Sequence, residues 1–116
     1  KLVSLDEAIS AYGLRHKNND EIVLAEIRVY DGVFLVGDRM LTLGNSGANK
    51  QSLSSEGGIT RSLYEVKNSD GTMSANLFIV PDTGFKAMEI YVPRTDLWSG
   101  YPDELYFMSG SVKFNK

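Results

Sequence analysis

Glu21-Ile22-Val23-Leu24-Ala25-Glu26-Ile27-Arg28-Val29-Tyr30-Asp31-Gly32-Val33-Phe34-Leu35-Val36 is the stretch that decides the fold. Val23, Ala25, Ile27 and Val29 recur at every second position, with Glu26, Arg28 and Tyr30 interleaved. Successive side chains of a strand point to opposite faces, so this period predicts a half-buried strand whose polar residues face solvent. Asp31-Gly32 tolerates positive φ, which predicts a tight hairpin turn and a return strand at residues 33–36. Residues 40–43 then form a further short strand.

The same alternation continues downstream. Residues 59–67 and 73–80 flank the turn Asn68-Ser69-Asp70-Gly71, with Met73, Ala75, Leu77 and Ile79 on one face of the second arm. Pro81-Asp82-Thr83-Gly84 leads into a strand at 85–92, where Met88, Ile90 and Val92 alternate with Ala87, Glu89 and Tyr91. Residues 105–108 and 111–114 complete the set, with Gly110 as a bulge or kink between them. Between Gly44 and Gly58, Leu53 is the sole large apolar residue, which predicts an exposed, mobile loop open to proteolysis after Lys50 or Glu56.

Upstream the period differs. Leu5, Ala8, Ile9 and Tyr12 make a helical stripe, Ser4 and Glu7 a capping box, and Gly13 a stop. The competing reading is an extended segment from Ile9 through Leu14 that enters the sheet directly.

About seven short strands separated by Gly, Asp and Pro signals predict one domain, residues 1–116, that is mainly β: an antiparallel β-sandwich of immunoglobulin-like character with a short N-terminal helix. The alternative is an α+β fold with the helix on one curved antiparallel sheet. The expected core is Val23, Ile27, Val29, Leu35, Leu77, Ile79, Met88, Ile90, Val92, Leu105 and Phe107.

Composition narrows the function classes. The 116 residues carry 12 Lys and Arg against 15 Asp and Glu, a net charge of −3, which is not the basic footprint of a nucleic-acid binder. No apolar run approaches the roughly 18–20 residues of a transmembrane helix. The chain opens at Lys1 with neither an initiator Met nor a charged-then-apolar leader, the pattern expected of a mature or trimmed fragment. The absence of cysteine excludes a disulfide scaffold and thiolate chemistry.

Catalytic motifs are not apparent. The single histidine, His16, lies in the polar segment Arg15-His16-Lys17-Asn18-Asn19 and reads as a solvated loop residue. Gly44-Asn45-Ser46-Gly47 is not a nucleophile elbow, and Gly57-Gly58 is followed by Ile-Thr-Arg, not by the Lys-Ser/Thr of a phosphate loop. Asn68-Ser69-Asp70-Gly71 lacks the downstream Glu of a calcium loop and reads as a turn. Asp96, Asp103 and Glu104 could gather around a cation or stand as solvated loop acids. No cofactor is expected. Fifteen acids leave room for a glycosidase-like carboxylate pair, but no pair is singled out.

The segment Pro93-Arg94-Thr95-Asp96-Leu97-Trp98-Ser99-Gly100-Tyr101-Pro102-Asp103-Glu104-Leu105-Tyr106-Phe107 concentrates aromatic residues, including the one Trp. Rigid rings beside charges can form a recognition surface, which nominates Arg94, Asp96, Trp98, Tyr101 and Tyr106 as ligand-binding residues for a glycan or a peptide. In the competing reading Trp98 folds back as a lid on the core.

Asp70-Gly71 and the strand after it, Leu77-Phe78-Ile79-Val80-Pro81-Asp82-Thr83 and Ala87-Met88-Glu89-Ile90-Tyr91-Val92 resemble the closing strands of immunoglobulin-like accessory domains of bacterial cell-surface lipoproteins. There a strand ending in apolar-Val-Pro precedes one rich in Leu or Ile. Asn18-Asn19, Glu21-Ile22-Val23 and the Asp31-Gly32 turn are similar to their early strands, and the resemblance spans about half the chain. The helical N-terminus departs from it. The resemblance implies an extracytoplasmic β-sandwich with a binding or scaffolding role and transfers no catalytic residues. The expectation is therefore a non-enzymatic binding module at the cell surface, the alternative a small hydrolase using an acid pair.

Overall fold

A computed structural model describes residues 10–16, 19–82, 86–110 and 112. Its elements are β1 (Ser10–His16), β2 (Asn19–Tyr30), α1 (Val33–Asn45), β3 (Asn49–Glu56), β4 (Ile59–Lys67), β5 (Met73–Pro81), β6 (Ala87–Val92), a 3-10 turn (Thr95–Leu97) and α2 (Asp103–Gly110). The strands form one six-stranded sheet in the order β1-β2-β6-β5-β4-β3, antiparallel throughout.

The topology follows from one crossover. β1 and β2 form a hairpin, after which α1 carries the chain across the sheet to the far edge. β3 through β6 return as a meander until β6 pairs with β2, matching Ile27 to Ile90 and Arg28 to Glu89. Helix α1 therefore lies across one face, over β2, β5 and β6, while α2 and the segment before it pack on the other.

Both faces are consequently buried at the centre, and β5 is buried continuously from Ser74 to Ile79. On the α2 side the core comprises Ala25, Leu63, Ala75, Leu77, Ile79, Ile90, Val92, Trp98 and Leu105. On the α1 side it comprises Tyr30, Val36, Leu43, Tyr64, Phe78 and Ala87, with the Tyr64 and Phe78 rings edge to face at 5.5 Å.

The antiparallel, mainly β character stands, but all described strands belong to a single sheet, and helices occupy the places a second sheet would take in a sandwich. The sheet-plus-helix alternative comes closer. The helix it requires is not the N-terminal one: residues 1–9 lie outside the described residues, and from Ser10 the chain is a strand, as the extended reading had it.

The hairpin expected at Asp31-Gly32 and the strands at 33–36 and 40–43 are replaced by α1. Gly32 is extended, at φ −174°, and serves as N-cap, so no positive-φ turn forms there. Val36, Met40 and Leu43, spaced i, i+4 and i+7, supply the stripe that packs on the sheet. Gly47, at φ 85°, ends the helix in a conformation that side chains with a Cβ rarely adopt.

The expected loop at 44–58 contains β3, an exposed edge strand with Leu53 as its partly buried apolar residue. A register shift between Ser52 and Ser54 interrupts its ladder, a feature that blunts an edge against further pairing. Gly57 and Gly58, at φ 62° and 75°, close the β3–β4 hairpin with the two positive φ angles that such a tight turn requires.

The strand expected at 105–108 is α2, in which Leu105 and Ser109 face inward, one turn apart. Phe107, expected in the core, is 81% exposed on the opposite side of this helix. Of the strand expected at 111–114 only Val112 is described, outside any strand and partly buried against the α2-side core, and the burial expected of Val23 lies outside the described residues. No described helix is long and apolar enough to cross a membrane.

Candidate functional site

The residues read as the solvent side of β2 lie beneath α1. Arg28 and Tyr30 are fully buried, and Glu26 is half-buried. Across the sheet, Arg28 pairs in register with Glu89, Glu26 with Tyr91, and Asn76 with Tyr91, so three adjacent central strands place these side chains together.

Glu89 is the hub. Its Oε1 accepts a hydrogen bond from the Tyr30 hydroxyl at 2.8 Å, and its Oε2 accepts one from Asn76 Nδ2. Arg28 Nη1 and, from α1, Arg39 Nε each lie 3.7 Å from Oε2. Arg28 donates its Nε–H to Glu26 Oε1 at 2.7 Å, and its guanidinium lies over the Tyr91 ring, 4.9 Å from the centroid. Arg28 Nη1 and Nη2 and Arg39 Nε are buried without a hydrogen-bond partner among the described residues.

The electrostatics follow from this packing. Burial alone would lower the Arg28 pKa, but the bond to Glu26 and the charge of Glu89 outweigh it and raise the value. Burial and the charge of Glu89 push the Tyr30 phenol well above its ordinary range. Burial also raises Tyr91, against the opposing charge of Arg28.

The sequence-nominated surface is arranged differently. Trp98 is only 5% exposed, and its Nε1–H donates to Glu104 Oε2 at 3.0 Å. Tyr101 packs against the same core and donates its hydroxyl to Glu65 Oε2 at 2.7 Å, while Tyr106 is half-buried beside it. Arg94 binds Asp96 through two hydrogen bonds, at 2.8 and 2.6 Å, on the exposed side. The three rings are thus brought together as packing on the α2 side, which is the lid arrangement of Trp98. Arg94 and Asp96 engage each other.

Asp70 accepts bonds from the backbone and hydroxyl of Thr72, so the 68–71 segment forms the expected turn. Among the described residues no three His, Asp or Glu side chains converge as a metal site. His16 ends β1, and its side chain lies outside the described residues.

Tyr101 is raised by burial and by its bond to Glu65. The folded pKa values of Tyr30, Tyr91 and Tyr101 all lie above the unfolded phenol value of about 10. The stability they contribute is therefore complete below about pH 10 and is lost as pH rises through the folded values. In an alkaline titration followed by phenolate absorbance, these three rings are expected to ionise above the ordinary range, together with unfolding. A native-state step in the ordinary range that accounts for all six tyrosines would contradict the assignment.

Compared with known protein families, curated proteins and solved structures, the chain has no match.

Proposed function

We propose that the protein is a non-enzymatic binding module that works extracytoplasmically as part of a bacterial cell-surface protein. The observation that carries this reading is the array on the α1 face, where buried guanidinium N–H groups of Arg28 and Arg39 have no hydrogen-bond partner among the described residues. Buried polar groups are ordinarily satisfied, so each exception calls for an explanation, and a bound molecule that completes the set is the one this reading adopts.

The array is built to hold and not to transfer protons. Both Glu89 oxygens accept from Tyr30 and Asn76, and Glu26 accepts from Arg28, so each carboxylate is engaged as an acceptor. An acid-pair hydrolase needs one carboxyl group that donates a proton to a leaving group. The cell-surface setting rests on the likeness of β5 and β6 to accessory-domain strands, as a statement of context and not of sheet architecture.

The test is to screen the chain on glycan and short-peptide arrays beside Arg39→Gln, which removes the partly exposed cation of the array. Saturable hits that weaken at least about tenfold in the variant are expected, the loss of roughly one charge-assisted hydrogen bond. Cleavage of any bound compound, read by mass spectrometry, would favour the hydrolase instead.

A further inference from the structure

We propose that the Nη edge of Arg28 and the Nε–H of Arg39 together recognise a carboxylate group, carried by a small acid or by the C-terminus of a short peptide. The inference rests on the binding-module reading and names its ligand chemistry.

Donor accounting comes first. A guanidinium has five N–H donors, and Arg28 commits its Nε–H to Glu26, leaving the Nη1 and Nη2 donors unmatched among the described residues although the side chain is 0% exposed. The internal carboxylates do not fill the gap. Glu26 is taken up on the Nε side, and Glu89 Oε2 stands 3.7 Å from both Arg28 Nη1 and Arg39 Nε, beyond hydrogen-bond range. Glu89 is held there by Tyr30 and Asn76, whose bonds fix both of its oxygens.

Geometry and charge then choose the class. The Tyr91 ring lies against the Arg28 guanidinium, so an incoming group meets its Nη edge, where two parallel N–H vectors match the two oxygens of a planar acceptor. Two arginines and two glutamates leave the array neutral. A carboxylate adds one negative charge beside Glu26 and Glu89, whereas a phosphate dianion would add two against the same pair. Arg39, at 14%, and Glu26, at 20%, are the members of the array whose side chains reach the surface, so a ligand would approach past α1 and β2.

The experiment is a titration of the whole chain followed by the ¹⁵N-resolved Nε–Hε signals of Arg28 and Arg39. The probes are propionate, propionamide, triglycine, triglycinamide and inorganic phosphate. Propionate or triglycine is expected to shift both signals saturably, with the matching amide and phosphate at least about tenfold weaker. Triglycine tighter than propionate assigns the site to peptide C-termini, and the reverse order assigns it to free acids. Arg28→Lys, which keeps the charge and removes the fork, should lose the response. If that variant does not fold, Arg39→Gln, altered at the rim, should weaken binding by the same factor with its unfolding midpoint retained. No saturable shift from either carboxylate, or equal affinity for acid and amide, overturns the carboxylate assignment. Array hits that depend on Arg39 but carry no carboxylate would overturn it while leaving the binding module intact.

Discussion

Replacing Glu89 by Ala is expected to lower the free energy of unfolding by about 3–5 kcal/mol, the cost of removing one partner from a buried ion pair. Arg28, at 0% exposure, would lose the carboxylate facing its Nη1, and Arg39 would lose the same neighbour. The Tyr30 hydroxyl and the Asn76 amide would lose their acceptor as well. Tyr30→Phe removes one donor and leaves the ion pairs in place, so its cost should be smaller, about 1.5–3 kcal/mol for a hydrogen bond to a charged group. Because the two side chains share a bond, the double variant should cost less than the sum of the single ones. Arg28→Met added to Glu89→Ala should recover part of the loss, since a buried cation without its anion is what the single variant leaves behind. Urea denaturation of the unaltered protein and the four variants measures each value. A Glu89→Ala cost below about 1 kcal/mol would mean that the array is solvated and that the burial assigned to it is wrong.

The strands that pack the α2 face were legible because their period of two coincides with a one-sided apolar pattern, as in Ala75, Leu77 and Ile79 of β5 and Ile90 and Val92 of β6. β3 was not, because an edge strand is held largely by its backbone ladder to β4 and exposes polar side chains. α1 was hidden by the run Val33-Phe34-Leu35-Val36, which suits a strand equally well, and by an N-cap that makes no side-chain hydrogen bond. Its helical stripe at Val36, Met40 and Leu43 was nonetheless present in the sequence.

The polar array was missed for a topological reason. An antiparallel strand with one polar side usually turns that side to water, and so Glu26, Arg28 and Tyr30 read as a solvent face. The crossover of α1 from β2 to the far edge buries that face, and this is a property of the connection, not of β2 itself. The available signals were Asn76 and Glu89, single polar residues flanked by Ala75 and Leu77 and by Met88 and Ile90. Placed on central strands, such residues require partners.

Trp98→Ala is expected to cost about 3–5 kcal/mol, as for other buried aromatic residues cut back to a methyl group. The ring packs with Leu105 and the β-strand residues of the α2-side core, so its removal opens a cavity between the sheet and the C-terminal helix. Trp98→Phe retains most of that packing and gives up the bond from Nε1–H to Glu104; because Glu104 is exposed and can turn to water, the cost should be about 1 kcal/mol. Gly100 offers an independent check of the same contact. A Cβ added there would run into the Glu104 side chain, so Gly100→Ala should displace that carboxylate and reproduce the Trp98→Phe loss without touching the ring. In the unaltered protein the emission of Trp98 should be blue-shifted and resistant to iodide, because the ring is 5% exposed. Red-shifted, readily quenched emission together with a Trp98→Ala cost near zero would instead place the ring on the surface, as the reading of Arg94, Asp96, Trp98, Tyr101 and Tyr106 as a recognition face requires.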